Sequence, residues 1–426
     1  MRVRRFDWGE PEALAREIRE WARESAPSVD VAPIRAGVAK DGDAAVLRFE
    51  TQFGSRTPEG ESGALPSLRV DPDACDRALA DLDPTLSEAL GVAEANIRTV
   101  AEAQLGGTNN SIDLPQGHRV AIREVAVGAA GIYAPGGQAS YPSSVLMGAT
   151  AARVAGVARI ALASPPGPEG AVNPVTLAAA ALCQVDEVYA MGGAQAIFAL
   201  ALGTETVVPV DVIAGPGNAW VQEAKRSVYG TVGIDSIAGA SELMVIAGTG
   251  ARVAPIALDI CAQAEHGVDS PQVLVAVGSA DAGEIATEVE RLAAERPSVA
   301  DAPLALVAAP NAIDAIALAN AFAPEHLELI GAEVEELVGN ITTAGCVFTG
   351  GCGGTAFGDY AAGSNHVLPT GGAGRFSGPL SPGTFRRRMA TVTIDEDAAA
   401  ELAPHVDAIA RAESFPVHGE SATIRS

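Results

Sequence analysis

From residue 128 onward the chain repeats one pattern. A short apolar run, often closed by glycine, is followed by an alanine-rich stretch with helical spacing. The runs at 129–133, 157–163, 187–191 and 208–214 form one series, and those at 243–247, 272–277, 304–308, 326–330 and 346–349 form a second. Strands apolar along their whole length are buried on both faces, and alternation with helices implies parallel sheets covered on both sides. Two series predict two α/β domains. The chain has 426 residues, too many for one small core and enough for two.

The flanks read differently. Residues 8–50 are expected to be helical: Asp7 can cap, Pro11 sits early, and Leu14, Ile18, Trp21 and Ala22 recur at helical spacing. Residues 52–66 are turn-rich, and helical periodicity resumes from 71 to 104. Residues 369–384 are rich in Gly, Pro and Ser and read as a loop. A strand over 390–394, a helix over 397–412 and an exposed tail complete the chain.

The net charge of −25 argues against nucleic acid and anionic membrane surfaces as partners. Although 48% of the residues are hydrophobic, no uncharged apolar run reaches the length of a membrane span. The start, Met-Arg-Val-Arg-Arg-Phe-Asp-Trp, has no apolar stretch behind its basic residues and does not read as a signal peptide. Lys40 and Lys225 are the only lysines, which argues against Schiff-base chemistry. Cys75, Cys183, Cys261, Cys346 and Cys352 form no Cys-x-x-Cys pair, as expected for reduced thiols in a cytoplasmic protein. The acidic excess reads as a solvated surface, with salt adaptation as the alternative.

Histidine is scarce. Four of the six lie in the C-terminal part beside carboxylates or an amide. The clusters are Gln263 and Glu265 with His266, Glu325 with His326, Asp359 with His366, and Glu413 with His418. Imidazole and carboxylate suit a borderline metal such as zinc, and also proton transfer near neutral pH. Each cluster taken singly has a plainer explanation. Gln263 and His266, three apart on an expected helix, suit helix packing. Asp359 in a glycine-rich segment suits a turn, Glu325–His326 a strand edge, and His418 a solvated tail. His118 and His405 have no such setting and are assigned no role.

Glycine-rich turns follow strands at 134–137, 192–195 and 215–218. At the ends of parallel strands small residues let backbone N–H groups approach phosphates. No Gly-x-Gly-x-x-Gly fingerprint is present. Tight packing explains each turn by itself. Three in one unit bring in a nucleotide or anion site, and both readings stand.

Jointly, these segments resemble the histidinol dehydrogenase family in order and spacing, from about Arg119 to His418. The resemblance is carried by Gly131-Ile-Tyr-Ala-Pro-Gly-Gly137, Tyr141-Pro-Ser-Ser-Val-Leu-Met147 and Gly192-Gly-Ala-Gln-Ala196. It continues through Gly215-Pro-Gly-Asn218 with Ala224-Lys225, and Gly233-Ile-Asp-Ser-Ile-Ala-Gly-Ala-Ser-Glu242. Gln263-Ala-Glu-His-Gly267, Ala323-Pro-Glu-His-Leu-Glu328, Gly358-Asp-Tyr-Ala-Ala-Gly-Ser-Asn-His-Val-Leu-Pro-Thr370 and the stretch from Glu413 to His418 complete it. There are departures. Ala240 and Val268 stand where the family has proline, and 350–357 lacks the usual Pro and Glu ahead of Gly358-Asp359.

The resemblance implies two incomplete Rossmann-like, doubly wound α/β domains with small helical extensions, in a homodimer that exchanges its terminal elements. Residues 1–30 would be a helical arm. Residues 31–128 with 242–384 would form the domain of the zinc and catalytic residues, 129–241 the NAD domain, and 385–426 an extension reaching the partner subunit. Gln263, His266 and Asp359 match zinc ligands of one subunit, and His418 the ligand from the other, with one zinc per subunit. Tyr133, Gln195 and Asn218 match NAD-contacting positions. Ser241, Glu325, His326, His366 and Glu413, with the zinc ligands, match positions around the substrate.

The implied reaction is a four-electron oxidation of L-histidinol through the aldehyde to L-histidine, consuming two NAD in turn. His326 is expected to act as base and Glu325 to activate water. Two other readings remain. One is a paralogous NAD-dependent dehydrogenase of another small polar alcohol, such as a sulfonated diol. The other is a zinc hydrolase, which leaves the glycine turns unexplained.

Overall fold

The computed structural model describes residues 1–22, 29–54, 67–106, 110–136 and 140–426. Most of the turn-rich 52–66 stretch, and Gly137 of the first glycine turn, lie outside them. Along the chain the elements are β1 (Arg2–Phe6), α1 (Pro11–Ala22), α2 (Ala32–Phe53), α3 (Pro72–Ala80), α4 (Pro84–Gln104), β2 (Asn110–Asp113), β3 (Arg119–Ala126), β4 (Ala129–Tyr133), α5 (Pro142–Ala155), β5 (Arg159–Ser164), α6 (Pro174–Leu182), β6 (Glu187–Ala190), α7 (Gly193–Leu202), β7 (Val212–Ala214), α8 (Ala219–Val228) and β8 (Gly233–Ile234). Then come β9 (Leu243–Ala247), α9 (Val253–Ala264), β10 (Gln272–Ala276), α10 (Ala282–Ala294), β11 (Pro303–Ala308), α11 (Ala312–Phe322), β12 (His326–Ile330), α12 (Ala332–Glu335), β13 (Cys346–Thr349), α13 (Thr355–Tyr360), β14 (Arg386–Thr393), α14 (Glu396–Ala412) and α15 (Pro416–Thr423).

Two parallel sheets form the body. One has five strands in the order β6-β5-β4-β7-β8, and the other six in the order β1-β11-β10-β9-β12-β13. Each is covered on both faces, as continuous apolar strands require. In β9, Met244 and Ile246 enter the cluster that holds Ile18 and Phe322. Leu243, Val245 and Ala247 enter the opposite cluster with Ile256 and Ile260 of α9. In β4 the same alternation sends Tyr133 to one side and Ile132 to the other. The two-residue period of the pleat thus feeds two cores from one strand. Side-chain caps from Asp71, Asp83, Asn173, Asn218 and Asp281 start five of the helices by accepting from orphan backbone N–H groups.

The fold agrees with the expected doubly wound α/β class, but the terminal and flanking segments pack differently. Residues 1–22 are not a helical arm: β1 pairs in parallel with β11, and α1 packs on α11 with Ile18 fully buried. The apolar face of α1 is complementary to the sheet's outer helix, so the chain starts inside this unit. Residues 32–104, expected to join the domain of the zinc and catalytic residues, pack instead on the five-stranded unit. α2 lies on α7, α3 on α6 and α4 on α5, because Val38, Val46, Phe49, Leu90 and Ile97 fit the helices of the 129–241 unit. Val367, Leu380 and Phe385 return to that unit's core as well. Strands β2 and β3 pair with β14 in a separate antiparallel sheet. β2 is exposed and mostly polar, and β3 is half-buried with Arg and Glu interrupting its apolar residues, so the pattern used for the other strands misses them. The tail is helical over 416–423.

No helix among the described residues is long and apolar enough to cross a membrane. Truncating Ile18 tests whether α1 belongs to the core. Ile18→Ala should cost about 2–5 kcal/mol in chemical denaturation, as for a buried aliphatic residue. A detachable arm would lose under about 0.5 kcal/mol.

Candidate active site

The second sheet builds its site at the N-terminal ends of two neighbouring strands. β9 and β12 run parallel with Leu243 opposite His326. This register sets Ser241 and Glu242, just ahead of β9, against Glu325, just ahead of β12. The Ser241 hydroxyl donates to Glu325 Oε2 at 2.5 Å, and Glu242 N donates to the same oxygen at 2.7 Å. His326 Nδ1 lies 3.1 Å from Glu242 O. A carbonyl only accepts, so Nδ1 carries a hydrogen and Nε2 is the atom that takes or gives a proton. Glu325 and His326 are 5% and 2% exposed.

His326 Nε2 faces Asp359 Oδ1 at 3.5 Å, and Nδ1 lies 3.5 Å from Glu325 Oε2. Burial opposes a charged imidazole, yet these two carboxylates outweigh it and hold the His326 pKa well above the ordinary histidine value. Burial would raise Asp359, but His326, with His366 and His266 acting through space, holds it below the usual carboxylate range. His366 Nδ1 donates to Asp359 O at 2.8 Å, and its Nε2 lies 3.3 Å from the Ser144 hydroxyl on α5. Burial keeps the His366 pKa low, so its ring is neutral near pH 7. This contact joins the two units across the site.

Gln263 sits at the end of α9, the helix on which α13 and Asp359 pack. It is 1% exposed, and both atoms of its amide are buried without a hydrogen-bond partner. Orphaned polar atoms of this kind are open to a water or an ion. His266 lies in the turn just beyond α9 rather than on it, its side chain exposed. Among the described residues, no three of His, Cys, Asp and Glu are grouped to hold a metal. Within one chain the expected zinc set has only His266 and Asp359 of those types, with Gln263. The unsatisfied amide, the lowered carboxylate and the imidazole are donors a zinc ion accepts, so the residues present fit it.

The first sheet places Tyr133 at the end of β4, Gln195 at the start of α7 and Asn218 ahead of α8. The Tyr133 hydroxyl accepts from Gly193 N at 3.1 Å, and burial pushes its pKa up to about 12, keeping it neutral. Gln195 Nε2 and Gly192 N both donate to Glu50 Oε1 at 2.7 Å. Asn218 Oδ1 caps α8, accepting from Trp220 N and Val221 N. Gly215 has φ 131°, and a Cβ there would run into Tyr133 O. Its N–H donates to Asp235 Oδ2 at 2.9 Å and its carbonyl accepts from Lys225 Nζ at 2.9 Å. The N–H groups of Gly192, Gly193 and Gly215 are therefore spent inside the protein. Of the two readings of these turns, tight packing accounts for those donors, and a phosphate cradle built from them does not.

Glu413 and His418 lie apart from this cluster. Glu413 follows α14 and His418 sits within α15, both exposed, with His418 against Phe415. Several contacts at the site escaped sequence reasoning, although Lys225 and Asp235 lie in segments already singled out. Glu50 comes from a helix far upstream, and Asp235 and Lys225 pair at 2.5 Å with both side chains buried. Arg19 pairs with Glu242. Glu242 lay within a motif already singled out, but nothing in sequence marks which upstream arginine or glutamate reaches these strands.

Two parallel-sheet α/β units, one of them carrying a buried carboxylate–imidazole pair at its strand ends, define an α/β protein with an enzyme-like site. The family model for histidinol dehydrogenase matches residues 18–426. Histidinol dehydrogenase of Ruegeria pomeroyi is 43% identical over 415 residues, which cover 95% of this chain and 93% of that protein. The histidinol dehydrogenase of Haloarcula marismortui is 41% identical over 399 residues, 92% of each chain. A crystal structure of histidinol dehydrogenase from Elizabethkingia anophelis has a TM-score of 0.89 at 30% identity, covering 100% of this chain and 98% of the other. The chain belongs to the histidinol dehydrogenase family and is an oxidoreductase.

Below His326 on the same strand, Glu328 accepts from Thr355 N at 3.0 Å at the start of α13. Burial, with the neighbouring Asp259 carboxylate adding to it, pushes Glu328 up to about 8. Burial alone takes Asp259 to about 6. A raised carboxyl favours the fold while it stays protonated. Its contribution is full below the ordinary glutamate range and fades as pH climbs through about 8. Glu328→Gln keeps an oxygen for Thr355 N and cannot ionise. Its melting temperature should gain on the parent's from about pH 6 to about pH 9. Parallel curves over that range would show that Glu328 is not the neutral acid.

Proposed function

We propose that this chain oxidises L-histidinol through L-histidinaldehyde to L-histidine in the cytoplasm, as a zinc- and NAD-dependent homodimer at the end of histidine biosynthesis. The observation that carries this reading is the buried Glu325–His326 pair, set beside Asp359 and the unsatisfied Gln263 amide, in a member of this family.

Gln263, His266 and Asp359 would hold the zinc, with His418 arriving from a second copy. When bound, zinc supplies a template for the imidazole and amine of the substrate, and NAD accepts a hydride in each of two successive oxidations. His326 takes the alcohol proton at Nε2 as hydride leaves the carbinol carbon. The carboxylates that raise its proton affinity make it a strong acceptor once that nitrogen is free. Glu325, aligned by Ser241 and Glu242 N, then takes a proton from the water that adds to the aldehyde. His326 passes its first proton to solvent, and the adduct then loses a proton to the freed Nε2 with the second hydride, leaving the carboxylate. Neutral His366 reads the substrate from the α5 side. Tyr133, Gln195 and Asn218 contact NAD through side chains.

Glu413 and His418 are proposed to complete the site of the other copy, Glu413 facing the substrate amine. Their exposure supports this, as does the exposed apolar surface around them, with Ile409 61%, Val417 69% and Ile424 83% exposed.

Zinc-loaded enzyme should yield two NADH per histidinol consumed, with histidine as product and loss of activity on chelation. A single NADH with aldehyde accumulating would sink the four-electron reading. His326→Ala should lose ~10²–10⁴-fold in turnover with normal zinc content. Mixing a His266→Ala chain with a His418→Ala chain should restore part of the activity, because heterodimers would hold one intact site. No recovery despite proven subunit exchange would exclude a shared site.

A further inference from the structure

Arg19, on α1, joins the two chain segments that carry the Glu325–His326 pair. Its guanidinium binds Glu242 through Nη1 to Oε1 at 2.5 Å and Nη2 to Oε2 at 3.1 Å. Nη2 also donates to Phe322 O at 2.6 Å, and the guanidinium carbon lies 3.8 Å from the Phe322 ring centroid. Phe322 ends α11. The next residue, Ala323, takes a left-handed conformation with φ 51° and leads through Pro324 into Glu325. Alanine holds that conformation only where its surroundings impose it.

Glu242 is the second half of the device. Its N–H donates to Glu325 Oε2, and its carbonyl accepts from His326 N and from His326 Nδ1, each at 3.1 Å. Gly371 N donates to Glu242 Oε1 at 3.1 Å, holding the carboxylate from a third side. Both side chains are largely buried, Arg19 11% and Glu242 5% exposed, so the pair is little screened. Only a planar fork with several fixed donors can grip a carboxylate with two nitrogens and a carbonyl besides, which is why arginine and not lysine suits this place.

We infer that Arg19 and Glu242 are positioning residues for proton transfer, one guanidinium fixing both the strand end that aligns Glu325 and His326 and the turn that delivers them. The inference rests on the assignment of that pair as water activator and base. Neither residue is among those proposed to contact the substrate. Their loss therefore lowers turnover without weakening binding, since a displacement near 1 Å at the reacting groups costs on the order of 10²-fold.

The test uses zinc-loaded, full-length enzyme carrying Arg19→Gln, Glu242→Gln or both, and Arg19→Lys. Arg19→Gln should lower kcat by about 10–100-fold while the KM for histidinol and NAD, and the zinc content, stay within about threefold of the parent. The double variant should be no worse than the poorer single one, because each removes the same contact. Arg19→Lys, which keeps the charge but not the fork, should recover part of the loss. If Arg19→Gln does not fold, Glu242→Gln, which exchanges one oxygen for an amide nitrogen, carries the same test. Turnover within about threefold of the parent overturns the inference, as does a loss that follows melting temperature or zinc content alone. His326→Ala, measured alongside, separates the two claims. An active His326→Ala overturns the assignment of the base, whereas an inactive one beside a fully active Arg19→Gln overturns only the positioning role.

Discussion

β9 and β12 lie side by side in parallel, Leu243 opposite His326, and the chemistry of the site hangs on that register. The residues just ahead of the two strands are brought abreast. The backbone of Glu242 can then donate to Glu325 and accept from His326. A slip of one residue would turn His326 to the other face of the sheet and leave Glu325 without Ser241 and the Glu242 N–H. The register is protected because it is shared: β9 also pairs with β10, and both faces of the strand are buried in apolar clusters. A precise polar site is thus held by an apolar pattern that has no chemistry of its own.

The chain keeps its buried charges in compensated groups. Arg19 meets Glu242, Lys225 meets Asp235, and the Glu50 carboxylate takes Gly192 N and the Gln195 amide. Each ties a helix or turn to a strand end near the site, and each would be costly to break by removing one member. Where compensation is incomplete, at Glu328, burial keeps the acid neutral instead. The Gln263 amide is different, because neither of its buried polar atoms has a hydrogen-bond partner within the chain.

The glycine turns of the five-stranded unit also behave differently from a standard dinucleotide site. Glu50, Tyr133 and Asp235 occupy the N–H groups of Gly192, Gly193 and Gly215. Glycine is needed here for close approach, at Gly215 for a positive φ against Tyr133 O, rather than for open donors. The absence of a Gly-x-Gly-x-x-Gly fingerprint from the sequence has its counterpart in this geometry.

Continuous apolar runs and their alternation with helices determined the α/β class and most of the strands, because a strand buried on both faces must be apolar throughout. The runs at 129–133, 243–247 and 326–330 coincide with β4, β9 and β12. The histidine-centred motifs singled out Glu325, His326, Asp359 and His366, which the fold joins by direct contacts, and Gln263 at the end of the helix on which α13 packs. The sequence did not show that β1 and α1 belong to the six-stranded unit, that α2 to α4 cover the other unit, or that Arg19 and Glu50 reach the strand ends they bind. Those choices were made by tertiary structure. An amphipathic helix carries the information that one face must be buried, but not against which partner. A buried charge finds its counter-charge only once packing has brought distant segments together.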